Sequence, residues 1–146
     1  MPAEAAPELP EPLTLRLWQD GEVLFSSASH WLHPLFELEA FLAGGGRDPG
    51  RCRLEDRITG RGAAFLVVRL GLRDLHTGLL SDRAVPVLER WGVRTRAGAR
   101  VPRVLCATED LLAGIEDPEA AWALLRERRD RAQERAGQRP GQPLRT

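Results

Sequence analysis

The chain has 146 residues, the size of one ordinary domain, and its 42% hydrophobic content is enough for a core without disulfide or metal staples. Its 21 basic and 21 acidic residues cancel, so no global field favours nucleic acid, a membrane surface or an acidic partner. Every basic residue is Arg, because no Lys occurs; any cationic site must therefore be built from guanidinium groups, which do not act as bases. The cysteines, Cys52 and Cys106, are too far apart for a C-x-x-C motif, and no apolar run approaches the ~18 residues of a membrane span. The start is acidic and proline-rich where a signal peptide would be cationic and then apolar, so the cytoplasm is the expected compartment.

Residues 1–12, with Pro2, Pro7, Pro10 and Pro12 among Glu4, Glu8 and Glu11, read as a disordered leader. Leu13, Leu15 and Leu17 alternate with polar residues, and Asp20-Gly21 turns the chain into Val23-Leu24-Phe25, which makes a hairpin. Ser29 is placed to cap a helix carrying Pro34 in its first turn, with Leu35, Phe36, Leu38 and Phe41 on its apolar face and Gly44-Gly45-Gly46 at its end. A short strand follows near Cys52–Asp56, then a small-residue helix from about Thr59 to Leu70, and a strand over Leu75, Thr77 and Leu79. Ser81 caps a helix with Ala84, Val85, Leu88 and Trp91 on one side; Pro86 must bend it or delay its start. Val93–Thr95 forms the next strand, Thr108 opens a brief helix ending at Gly114, and Asp117-Pro118-Glu119 starts the last one. Ala121, Trp122, Leu124 and Leu125 dock that helix, and residues 126–146 read as an Arg-rich helix end and a disordered tail. A hairpin followed by alternating helices and strands predicts one α/β domain over residues 13–125, with a mixed sheet covered on both faces.

Several segments together resemble a prokaryotic family known as a domain of unknown function, number 1893. They are Asp20-Gly21 with Val23-Leu24-Phe25-Ser26-Ser27, Pro34-Leu35, and Asp56-Arg57-Ile58-Thr59-Gly60-Arg61-Gly62-Ala63-Ala64. Leu80-Ser81 with Ala84, Cys106 with Glu109, and Gly114-Ile115-Glu116-Asp117-Pro118-Glu119 complete the set. The family's third segment reads D-K-x-x-G-K-A-A-A and its cysteine segment C-P-x-E. Here Arg57 and Arg61 replace the lysines, Gly62 an alanine, Ala107 the proline, and Trp31 stands where glycine is common. The resemblance implies a cytidine-deaminase-like, three-layer α/β/α sandwich.

Zinc deamination needs three metal ligands and a carboxylate that shuttles protons, in the pattern H-x-E (or C-x-E) followed by P-C-x-x-C. Aligned through Gly71-Leu72-Arg73-Asp74-Leu75, the two cysteine positions fall on Gly60 and Ala63, which hold no metal. His30 and His33 lack the accompanying glutamate and read as surface or capping residues. No metal and no cofactor are expected.

The leading candidate site is Asp56, Arg57, Gly60 and Arg61, at a strand end and helix start where amides and two guanidiniums suit a phosphate. The alternative is structural: Asp56 caps the helix and pairs with an Arg, and the small residues permit tight packing. Weaker catalytic candidates are Cys106, Glu109 and Asp56, with Cys106 set before a helix start but without a neighbouring histidine base. The expected function is therefore binding of a nucleotide or other phosphate-bearing small molecule on a deaminase-like scaffold. A zinc-independent enzyme is one alternative. The other is an interaction scaffold, such as a homodimer, using Trp18, Trp31, Trp91 or Trp122.

Overall fold

The structure is a computed structural model that describes residues 9–104 and 107–137. Cys106 lies outside the described residues, as do segments 1–8 and 138–146. Two antiparallel strands, β1 (Leu15–Gln19) and β2 (Glu22–Ser27), are joined by the Asp20-Gly21 turn, and both turn residues take positive φ as a D-G hairpin requires. The chain continues through α1 (His33–Ala43), β3 (Arg53–Thr59), α2 (Arg61–Arg69), β4 (Asp74–Ser81), α3 (Val85–Arg90), β5 (Arg94–Val101), α4 (Ala107–Leu111) and α5 (Pro118–Gly137). Strand order is β2-β1-β3-β4-β5, antiparallel across β2-β1-β3 and parallel across β3-β4-β5. This is the expected mixed sheet of an α/β fold.

Right-handed crossovers place α1, α2 and α3 on one face of that sheet. Residues Arg61 through Val67 of α2 are all buried, because the sheet lies on one side of the helix and α5 packs along the other. A nine-residue helix has little stability of its own. Burial of Phe65, Leu66 and Val67, worth about 1.5–3 kcal/mol each, is what holds it. Gly62 and the alanines allow the close approach of α5: a Cβ on Gly62 would meet Leu32, Leu112 and Leu125 at 3.2–3.5 Å. The opposite face of the sheet presents the paired row Arg16, Glu55, His76 and Arg96.

Several boundaries differ from the sequence reading. Strand β3 runs on to Thr59 instead of ending at Asp56, which is mid-strand opposite Leu15 and Thr77. Arg57 and Gly78 drop out of the β3–β4 register at this point, and a Cβ on Gly78 would stand 2.9 Å from the Arg57 carbonyl oxygen. The irregularity interrupts the period-2 pattern, which hides the strand's continuation. Strand β5 extends past Thr95 to Val101, with Ala97 opposite Thr77 and Ala99 opposite Leu79, because backbone pairing does not depend on the size of the side chain. Ser29 does not cap α1, whose first residue is His33, and Ser81 does not cap α3, since it is the last residue of β4 and Ala84 holds the cap position. Pro86 does delay α3, which begins at Val85, and the Asp117 side chain accepts the Ala120 amide at 3.1 Å as the expected N-cap. The packed chain starts earlier than residue 13, since Leu9 is buried.

Candidate functional site

The carboxyl ends of the parallel strands β3, β4 and β5 meet the first turn of α2 and the short helix α4. Between them lies a cavity of about 530 Å³ lined by Trp31, Ile58, Gly60, Leu79, Val104 and Glu109 among others. Most of this lining is apolar. Arg103, Thr108 and Glu109 are its polar residues, and Glu109 is fully buried on α4, at the N-terminal end of α2. Its Oε1 accepts the Arg61 backbone N–H at 3.3 Å, a placement that the positive end of the α2 dipole favours. Its Oε2 has no hydrogen-bond partner among the described residues; the nearest charge is Arg83 Nε, at 3.9 Å. A buried carboxyl oxygen without a donor forfeits about 1–3 kcal/mol, which a bound donor would restore.

The expected phosphate grip does not assemble. The Arg57 guanidinium points to the chain's start, donating to the carbonyls of Leu9 and Leu13 and pairing with Glu11 at 3.3 Å. Arg61 is buried and donates to the carbonyls of Leu112, Arg83 and Ile115 at 3.1, 3.1 and 2.6 Å. Both guanidiniums are spent on backbone oxygens in different places, so they do not converge on one anion. Of the four residues, Gly60 alone lines the cavity. It stands at the N-cap position of α2, where a Cβ would come within 2.7 Å of Glu109 Oε1.

Asp56 is neither the cap of α2 nor the partner of an Arg. Its Oδ2 accepts the Thr59 hydroxyl at 3.0 Å, and the same hydroxyl lies 2.9 Å from Thr77 Oγ1. Burial pushes its carboxyl up to about 7, against the lowering effect of the Thr59 hydroxyl and the Arg57 and Ile58 amides. Cys106 lies outside the described residues, so its pairing with Glu109 is not among the observed contacts. Of the four tryptophans Trp31 alone is exposed, and it lines the cavity.

The family model described as TM1506, domain of unknown function (DUF1893), matches residues 17–128. The chain belongs to the DUF1893 family. It is similar to the crystal structure of a DUF1893 family protein (TM1506) from Thermotoga maritima, with a TM-score of 0.71 and 22% identity over 80% of each chain. At that identity the likeness concerns the fold. It is also similar to the apo dCMP deaminase of cyanophage S-TIM5, with a TM-score of 0.47 and 13% identity over 61% of this chain and 79% of that one. No curated protein matches the chain at a significant level.

In this DUF1893 chain, Gly60 and Ala63 both line the cavity, and neither offers a ligating atom. Among the described residues no group of three or more His, Cys, Asp or Glu is arranged to hold a metal ion. His33 opens α1 with its ring edge-on to Trp31 at 5.2 Å. The residues present do not fit a deaminase zinc, and no chemistry is derived through one. No helix among the described residues is long and apolar enough to cross a membrane. The orphaned oxygen of Glu109 was not legible in the sequence, because the contact that defines it joins residues 48 apart.

Proposed function

We propose that this chain is a small-molecule-binding domain whose ligand enters the cavity at the carboxyl ends of β3, β4 and β5. The ligand presents an N–H donor to Glu109 Oε2 and an apolar or aromatic body to Ile58, Leu79 and Val104. The base of a nucleoside or nucleotide meets both requirements. The observation that carries this is the buried Oε2 without a hydrogen-bond donor among the described residues, in a largely apolar cavity. Oε2 is sealed from solvent, so the ligand reaches it by displacing side chains of the cavity lining. An acid at the floor repels a phosphate there; a nucleotide's phosphate belongs at the rim, where Arg103 lines the opening.

A thermal-shift panel of nucleobases, nucleosides, nucleotides and inorganic phosphate tests this. Bases and nucleosides should raise the melting temperature of the wild type clearly more than that of Glu109→Gln; a ligand at 100 times its Kd stabilises by about 2.7 kcal/mol, and at 10 times by about 1.4 kcal/mol. Stabilisation by inorganic phosphate alone, or equal shifts in both proteins, would contradict the assignment.

A further inference from the structure

Trp31 is the second unusual residue of the cavity. Its φ is +58°, a left-handed conformation that bulky L residues seldom hold. The other such residue, Asp20, sits in a D-G hairpin turn where that conformation is ordinary. Trp31 also stands in a hydrogen-bonded turn, closed by the His33 N–H on the His30 carbonyl at 3.2 Å, but such a position suits glycine and not a bulky side chain. It is 37% exposed, so core burial does not account for it, and a glycine would take the same backbone without strain. The indole is nevertheless fixed, edge-on to the His33 ring at 5.2 Å and tilted over Phe36 at 6.3 Å. Fixed this way, it lines the same cavity as Glu109. A strained, partly exposed aromatic beside an orphaned carboxyl oxygen is an arrangement for selecting ligands by shape.

We infer that Trp31 is the specificity-determining residue of this cavity: its indole receives a planar aromatic ring whose N–H-bearing end meets Glu109 Oε2. This rests on the cavity being the ligand site proposed above. The consequence is a trade between stability and selection. Trp31→Gly releases the backbone strain and removes the platform, whereas Trp31→Phe keeps both.

Two amidines isolate the planar ring from the N–H donors. Benzamidine and cyclohexanecarboxamidine carry the same donors, on a flat and on a puckered ring respectively. In calorimetric titrations the wild type and Trp31→Phe should bind benzamidine several-fold more tightly than the saturated compound. Trp31→Gly should lose that preference and about 5- to 150-fold of benzamidine affinity, the range of one aromatic stacking contact. It should also melt about 2–8 °C higher than the wild type. Equal binding of the two amidines by the wild type, or a melting temperature that fails to rise in Trp31→Gly, would overturn the inference. If Glu109→Gln abolishes binding while Trp31→Gly keeps it, the inference fails and the site stands. If the wild type binds neither amidines nor nucleosides, the site fails and takes the inference with it.

Discussion

Gly60 and Glu109 compete for one space. A Cβ on residue 60 would stand 2.7 Å from Glu109 Oε1 and 2.8 Å from Val104 Cγ2, both below any real Cβ contact. The Oε1–Arg61 amide bond exists because residue 60 has no side chain. Gly60→Ala should therefore lower stability by about 1–3 kcal/mol, as overpacking does, and displace the glutamate from the helix start. Thermal unfolding checks the first effect. A melting temperature within about 1 °C of the wild type would mean that the glutamate moves freely and that the cavity has no rigid floor.

Asp56 makes stability depend on pH in the direction opposite to a salt-bridged acid. Its folded value of about 7 lies above the ordinary 3.8, so the folded chain holds a proton that the unfolded chain has released between those values. Its contribution is full below about pH 4 and is lost as pH rises through 7, with an upper limit of about 4 kcal/mol. Asp56→Asn keeps an acceptor for the Thr59 hydroxyl and has no proton to lose. The difference in unfolding free energy between wild type and Asp56→Asn should thus turn against the wild type from pH 4 to pH 8. A difference that stays constant over this range would place the carboxyl's titration elsewhere.

The two arginines of the expected phosphate grip should behave as structural residues of unequal weight. Arg61→Ala takes a donor from the Arg83 and Ile115 carbonyls, while the Leu112 carbonyl keeps the Ile115 amide, and should cost about 3 kcal/mol or more. Arg57→Ala frees the carbonyls of Leu9 and Leu13 and loses a pairing with an exposed Glu11, for about 1 kcal/mol. Denaturant unfolding of both variants gives the ranking. The reverse order would return Arg57 to the centre of the molecule and weaken the assignment of Arg61 as a brace.

The element order was legible because hairpin chemistry and apolar periodicity act locally: Asp20-Gly21, the Leu15/Leu17 alternation and Asp117-Pro118 each carry their own signal. The site was less so. Read by alternation, strand β3 stops at Asp56, since buried Asp56 and buried Thr59 break the pattern, and that reading sets Asp56 and Arg57 at the helix start instead of mid-strand. Gly60 and Glu109 were both singled out by residue type, but their contact depends on α4 folding back over α2, which no local pattern encodes. Arg61 reads as a free cation in sequence because its acceptors are backbone carbonyls, and every residue has one.

Glu109 Oε2 carries the central claim, and calorimetric titration of the wild type and Glu109→Gln against one nucleoside, cytidine or adenosine, tests it most directly. The glutamine keeps an oxygen for the Arg61 amide, so the variant should fold with a melting temperature equal to or above that of the wild type. It should bind the nucleoside at least about tenfold more weakly, the loss of one charge-assisted bond of about 1.5–3 kcal/mol. Equal affinity in two well-folded proteins would contradict the account, because the buried side-chain oxygen left unsatisfied among the described cavity residues would then have no part in binding.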